Sequence, residues 1–387
     1  MILQWKALKQ LSDKLLLLKR GTIIMEKVKL GIIGIGNMGS QYVHHISIGE
    51  MPEIDLVAVA DINPERLEFA KEKMPDIKTF DTGEKMIDSG LIDAVMIAVP
   101  HYDHPPLAIY AMKKGLHTMT DKPAGVHTKQ VEEMNAVAKE SDVCFGIMYN
   151  QRTHHIYRKM HELVHGGTLG EIRRTSWIVT DWYRPQAYYN SGSWRATWKG
   201  EGGGVLLNQC PHNLDLWQWI CGMPTKVSAK MKFGKWHDIE VEDDVTAYVE
   251  YKNGATGVFI TSTGDTPGSN RFEITLDKGK LVAEDNQLTL WELEESEQEF
   301  SAKNTDSFGK PAYKKTIVST DGEHTQHTGV LNAFASAILR ETPLIANGEE
   351  GINGLTISNA MHLSAWLDKE VEIPFNSELF YKKLTEQ

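Results

Sequence analysis

The chain has 387 residues, which suits two domains of the usual ~100–200 residues better than one compact core. Hydrophobic residues make up 41% and charged ones 24%, a globular balance that excludes a wholly disordered or fibrous chain. A formal net charge of −11 repels phosphate backbones and argues against nucleic-acid binding, and no apolar run approaches the ~18–20 residues that cross a bilayer. The cysteines Cys144, Cys210 and Cys221 are odd in number and form no CxxC pair, which reads as a reduced cytoplasmic chain without a disulfide framework.

Residues 1–24 form an extension unlike the rest, with Leu15 to Leu18 set among lysines and a closing Lys19-Arg20-Gly21. The apolar run is too short for a signal-peptide core, and no small-residue cleavage site follows it. Met25 is the expected natural start, because Lys-Arg-Gly is encodable by a purine-rich run placed where a bacterial ribosome-binding site would sit. The alternative is a short amphipathic helix on the surface.

From Val28 the chain alternates strand and helix. Val28 to Ile33 is a buried-strand pattern that runs into Gly34-Ile-Gly36-Asn37-Met38-Gly39. Apolar runs follow at Ile54 to Ala60, Ala94 to Val99, Leu116 to Thr120 and Val143 to Met148. Helical stretches are expected at 64–73, 105–114 and 128–140, the first opened by Asn63-Pro64 as cap and first-turn proline. This rhythm implies a doubly wound α/β domain over 25–149, with helices on both faces of a parallel sheet.

The glycine motif follows a strand and precedes a helix, and Asp61 ends the second strand. Gly34 permits the tight turn, Gly36 lets the backbone approach a pyrophosphate, and Gly39 packs helix on strand. Asp61 would accept hydrogen bonds from the adenosine ribose and repel a 2′-phosphate, which favours NAD over NADP. This is a dinucleotide site.

After about Tyr149 the rhythm changes. A helix at 154–165 stops at Gly166-Gly167, and strands then dominate from Arg173 to Glu292. Tyr251-Lys-Asn-Gly-Ala marks a hairpin, 293–322 reads as surface loop, and helices return near 328–340 and 350–367. Residues 150–387 are therefore expected to be an α+β domain with a large, mostly antiparallel sheet, for substrate and for oligomerisation.

These features together resemble the Gfo/Idh/MocA oxidoreductase family, which includes glucose–fructose oxidoreductase and inositol dehydrogenase. The resemblance is carried by the glycine motif, by Ala98-Val99-Pro100 with His104, and by Asp121-Lys122-Pro123. Glu201-Gly-Gly-Gly204 with His212 and Asp215, and Val241-Glu-Asp-Asp244, extend it through the second domain. Two departures stand out: the family's Glu-Lys-Pro is Asp-Lys-Pro here, and an Asp four residues before the His is Asn208. An amide cannot take a proton, so Asn208 is left with hydrogen bonding.

The resemblance implies oxidation of a secondary hydroxyl of a sugar, sugar derivative or cyclic polyol with NAD. Loss of a hydride from a carbinol requires the hydroxyl proton to leave too, and histidine is the usual base. His212 fits that role, with Asp215 three residues on along the same helical face, able to orient the ring. Lys122, ending a strand at the cleft edge, would position and polarise the hydroxyl. The alternatives are a histidine packed against its helix and a surface lysine at a turn. Pro100, His104 and Asp121 are expected beside the nicotinamide, with helix capping an equal reading of His104. Arg152 either meets a polar substrate or pairs with an acidic neighbour.

Trp182, Arg184, Trp194 and Arg195 mix aromatic faces with hydrogen-bonding groups and are expected to bind substrate, a place in the core or a subunit interface being the alternative for the aromatics. Trp217 and Trp219 read as structural. His161-Glu162-Leu-Val-His165 is formally a zinc-type HExxH, but it ends a helix at Gly166 with no further ligand motif, so it reads as a solvated helix face and no metal is expected. Two rivals to the dehydrogenase remain: an NAD-requiring glycosidase that works by transient oxidation, and a non-catalytic NAD sensor. By resemblance, the partners are a small carbohydrate or polyol and further copies of the chain, as a homodimer or homotetramer.

Overall fold

The computed structural model describes residues 27–387, so the 1–24 extension and the Met25 start lie outside the described residues. The first domain runs β1 (Val28–Ile33), α1 (Asn37–Ser47), β2 (Ile54–Ala60), α2 (Pro64–Lys73), β3 (Lys78–Phe80), α3 (Gly83–Ile87), β4 (Ala94–Ile97), α4 (His104–Lys113), β5 (His117–Thr120), α5 (Thr128–Glu140) and β6 (Phe145–Ile147). Its strands form a six-stranded parallel sheet in the order β3-β2-β1-β4-β5-β6, a doubly wound arrangement whose order reverses between β1 and β4. Local chemistry sets the ends: Pro64 sits in the first turn of α2, and the Asn63 side chain accepts the Glu65 N–H at 3.0 Å.

The second domain continues with α6 (His155–His165), β7 (Ile172–Val179), α7 (Gln186–Tyr189), α8 (Pro211–Cys221), β8 (Lys226–Phe233), β9 (Glu242–Glu250), β10 (Thr256–Ser262), β11 (Asn270–Leu276), β12 (Gly279–Glu284) and β13 (Gln287–Leu293). It ends with α9 (Glu297–Lys303), β14 (Tyr313–Ile317), α10 (Gln326–Arg340), α11 (Gly351–Leu367), β15 (Val371–Glu372) and α12 (Ser377–Leu384). The nine-stranded sheet has the order β14-β13-β12-β11-β7-β10-β9-β8-β15, antiparallel except where β7 and β10 pair in parallel. The Asn-Gly hairpin joins β9 to β10, with Gly254 at φ +84°.

Alternation along these strands sends one set of side chains into the core. Trp177 of β7 stacks on Phe272 of β11 at 4.2 Å, and Trp217 of α8 stacks on Phe259 of β10 at 5.4 Å. The Trp217 indole N–H also reaches Thr175 Oγ1 at 3.1 Å, which fixes the roll of α8 on the sheet. That helix carries His212, so aromatic packing in the core sets the position of a site residue.

Two expectations are corrected. Segment 293–322 is not only loop: Ser296 and Glu299 form a capping box that starts α9, and β14 pairs with β13 at the sheet edge. The five residues of β14 are all exposed, so they lack the hydrophobic alternation that marks a strand. In addition, α10 lies beyond 150 yet packs on the first domain. Val330, Leu331, Phe334 and Ala335 join Leu30, Ile32, Met96 and Met119 in one core, and Arg340 makes a bidentate pair with Glu53 at 2.6 Å. The returning helix brings the residues before it to the C-terminal edge of the parallel sheet.

Candidate active site

The glycine loop between β1 and α1 is shaped by close approach. Gly34 has φ +88°, and a side chain there would run into the Ala98 carbonyl; one at Gly39 would run into the Gly34 carbonyl. A side chain at Gly36, by contrast, would meet nothing within 4 Å. Gly36 is the N-cap of α1 and no side chain caps it, so the first-turn N–H groups are left for an anion. Asn37 is exposed and Met38 packs into the core below. Asp61 ends β2 beside this loop, where Oδ2 accepts the Ile35 N–H at 2.6 Å and Oδ1 accepts the Asn63 N–H at 2.8 Å. An open glycine face, an uncapped helix start and a carboxylate at the end of the second strand fit a dinucleotide.

At the end of β5, Asp121 and Lys122 divide the work. The Asp121 carboxylate accepts the Tyr42 hydroxyl of α1 at 3.1 Å and the Lys122 N–H at 2.8 Å. The Lys122 ammonium turns into the cleft and donates to the Asn208 main-chain carbonyl at 2.9 Å. Burial lowers its pKa, Asp121 and Glu201 oppose that, and Arg195 and Arg184 add to it. Asn208 itself gives its side-chain amide to Glu201. His104 is buried, and its Nδ1 bonds the Pro123 carbonyl at 2.7 Å; no side chain caps α4, so the capping role is not the one it takes. It braces the turn that carries Lys122. Pro100 is exposed at the end of β4.

His212 sits in the first turn of α8, across from Lys122. Its Nδ1 is buried without a protein partner, and burial, then the Lys122 charge, then His327, hold its pKa well below the ordinary histidine value. His327, one residue into α10, was not singled out from the sequence; the turn before a helix gives no sign that the helix returns to the first domain. Its ring lies 5.9 Å from that of Tyr42.

Asp215 is not the orienting partner of His212. Both its oxygens are taken by Arg152, from Nε at 2.8 Å and Nη2 at 2.6 Å, and Gln218 adds a third bond at 3.1 Å. Nη1 of Arg152 reaches Glu350 at 2.7 Å. Arg152 and Asp215 are 3% and 1% exposed, so the guanidinium is spent on carboxylates and not held out to a substrate. Of the two readings of Arg152, the acidic neighbour is the one that the structure realises. Spacing of three on a helix put Asp215 on the right face, but a buried guanidinium outcompetes a neutral imidazole for a carboxylate.

The aromatic segment does assemble. The Trp182 indole donates to Asn213, next to His212, at 3.1 Å, and Trp194 meets His101 edge-on at 5.8 Å. His101 in turn bonds the Glu201 carbonyl at 3.1 Å. Arg195 donates to the Tyr188 hydroxyl at 2.9 Å. The HExxH segment has a different partner from the one expected: His161 stacks on Trp219 at 4.0 Å instead of facing solvent, and burial lowers its pKa to about 4. Among the described residues no cluster of three or more His, Cys, Asp or Glu is arranged to hold a metal.

A parallel sheet with a glycine cradle at its switch point, covered by a second domain that supplies a histidine to the same cleft, defines a nicotinamide-dependent oxidoreductase. Residues 28–149 match the oxidoreductase family with an NAD-binding Rossmann fold, and residues 157–282 match the GFO/IDH/MocA C-terminal domain. The chain belongs to the GFO/IDH/MocA oxidoreductase family, and its first domain binds NAD. It is 23% identical over 354 residues to myo-inositol 2-dehydrogenase of Thermotoga maritima, covering 89% of this chain and 98% of that one. It is 24% identical over 358 residues to scyllo-inositol 2-dehydrogenase (NADP(+)) IolW of Bacillus subtilis, covering 89% and 95%. The WlbA dehydrogenase of Bordetella pertussis, crystallised with NADH and UDP-GlcNAcA, shares the fold with a TM-score of 0.76 at 22% identity, over 91% of this chain and 100% of that one.

Removing Arg152 leaves a buried carboxylate uncompensated. Arg152→Ala is expected to cost about 3–5 kcal/mol of stability, read as a lowered urea midpoint. A raised KM with unchanged stability would instead return Arg152 to the substrate.

Proposed function

We propose that the chain oxidises a secondary hydroxyl of a sugar, sugar derivative or cyclic polyol, with Lys122 positioning and polarising that hydroxyl and His212 taking its proton. The observation that carries this reading is the approach of Lys122 and His212, from different domains, across one cleft: the ammonium bonds the carbonyl four residues before His212, and its charge is felt by the imidazole. The dehydrogenases of inositols among the relatives support the substrate class.

NAD, when bound, supplies the acceptor for the hydride of the carbinol carbon. The glycine loop and the α1 N-terminus would hold its pyrophosphate, and Asp61 its adenosine ribose, where a 2′-phosphate would meet a carboxylate. The Lys122 N–H groups would donate to the reacting oxygen and stabilise its alkoxide character in a cleft that excludes much of the water. Because the pKa of His212 is lowered, the ring is neutral at pH 7 and ready to accept the proton. Trp182 and Trp194 offer faces for the C–H surfaces of a sugar ring.

The outer face of the nine-stranded sheet supports the oligomer. Ile178, Val258, Ile260 and Tyr248 lie side by side on β7, β10 and β9, on the face away from the core. A homodimer or homotetramer formed there is expected in light scattering, and a monomer at micromolar concentration would remove it.

Lys122→Ala is expected to abolish turnover while quenching of protein fluorescence by NADH persists; turnover at the wild-type rate would remove Lys122 from the mechanism. In the wild type, kcat/KM is expected to hold its plateau below the ordinary histidine value of ~6.5, because protonation of His212 is disfavoured. An acid limb centred at or above that value would assign the proton to another group. The assay follows absorbance at 340 nm together with nitrophenol release over sugars, inositols and nitrophenyl glycosides. Accumulating NADH is the expected result. Nitrophenol release that needs NAD without net NADH would make the protein a redox-assisted glycosidase, and no turnover on any of them would leave an NAD sensor.

A further inference from the structure

The chain carries a net charge of −11, yet the cleft gathers cations beyond the catalytic lysine. Arg184 follows β7 and Arg195 follows α7. Their guanidinium groups pack on Tyr188 of α7, with Cζ atoms 5.2 and 4.6 Å from its ring centre. Arg184 also lies over Trp182, whose indole bonds Asn213 beside His212, and Arg195 lies near Glu201, which holds the Asn208 amide, so both border the cleft of Lys122 and His212.

These charges meet aromatic faces, Arg195 also over Trp194 at 4.6 Å, but no hydrogen-bonded carboxylate. Arg184 is half-buried, its hydrogen bond goes to the Tyr183 carbonyl at 2.9 Å, and among the described residues no carboxylate lies within 4.0 Å of it. The half-buried Arg158, Arg173 and Arg271 all have a carboxylate oxygen within 3 Å. For Arg195 the nearest carboxylate is Glu201, at 4.0 Å and too far for a hydrogen bond. Glu201 is already held by the Ala196 N–H at 2.6 Å and by the Asn208 amide. Three cations around one partly desolvated cleft repel each other, and an anion between them relieves that repulsion. A guanidinium fork has the geometry for carboxylate and phosphate oxygens.

We propose that the substrate is an anionic sugar, whose carboxylate or phosphate is held by Arg184 and Arg195 while its hydroxyl lies at Lys122. This rests on the dehydrogenase reading and narrows its substrate class. The anion takes the place of the carboxylate that the fold leaves out, and Tyr188 keeps the two guanidinium groups facing it.

The test compares matched sets on the NAD-supplied enzyme: glucose, glucuronate and glucose 6-phosphate, then the galactose series. An anionic member is expected to exceed its neutral parent in kcat/KM by about 10–100-fold, and the two anionic arms tell carboxylate from phosphate. Arg184→Met is expected to abolish that advantage, while Arg184→Lys restores part of it by keeping the charge without the fork. Neutral sugars that match the anionic ones in the wild type, or an Arg184→Met variant that lowers both by one factor, would overturn the proposal. If no sugar yields NADH, the dehydrogenase reading fails separately. Calorimetry of glucuronate and glucose 6-phosphate on NADH-loaded protein then decides the charge question. Binding lost in Arg184→Met supports it, and binding that is absent or unchanged rejects it.

Discussion

The hydrogen bond from the Lys122 ammonium to the Asn208 carbonyl, 2.9 Å long, spans the two domains at the proposed site. Its geometry depends on supports at both ends. On one side Asp121 ties the end of β5 to Tyr42 of α1, and His104 braces the Pro123 carbonyl. On the other, the fully buried Glu242 accepts the Gly204 and Leu206 N–H groups at 2.7 and 2.9 Å, clamping the turn that leads to Asn208. A side chain at Gly204 would strike the Glu242 carbonyl, so the clamp requires a glycine there. His362 approaches the same carboxylate at 3.1 Å; burial works against its protonation, but Glu242 prevails and raises its pKa.

A second constraint holds the helix that carries His212. Arg152 follows the last strand of the parallel sheet, Asp215 lies on α8, and Glu350 precedes α11. One guanidinium thus cross-links three parts of the chain, nearly dry toward Asp215 and at the edge of solvent toward Glu350. A pair like this adds little net stability over a packed apolar core, since each charge gives up its hydration. Its value is directional: a fork has few acceptable arrangements, so α8 is held in one. Asp215 therefore acts on His212 through the placing of the helix, not through the ring.

Most of the first domain was legible, because strands buried on both faces stand out as short apolar runs, but β3 and α3 were missed: β3 is three residues long and none of them is buried. The helix expected near 128–140 lies at Thr128–Glu140, with His127 capping it through the Gln130 N–H. The glycine motif was legible too, Gly34 and Gly39 answering local steric demands while Gly36 leaves its face open. What escaped is set by distance along the chain. Spacing placed Asp215 correctly on its helix face, but only the fold shows that Arg152, 63 residues earlier, reaches it first. His327 escaped because α10 returns to the first domain, and its apolar stripe is the same whichever core it meets. The zinc-like HExxH was set aside for lack of ligands, yet the Trp219 indole that covers His161 is a tertiary fact.

The departure from Glu-Lys-Pro to Asp-Lys-Pro has a physical account in this frame. Asp121 stays close to its own strand, where it meets the Tyr42 hydroxyl and the Lys122 N–H. The ammonium donates to the Asn208 carbonyl, a neutral acceptor. Protonation of the cleft follows from the same crowding. Burial lowers the pKa of both groups, and the Lys122 charge adds to the lowering at His212, which favours the neutral ring.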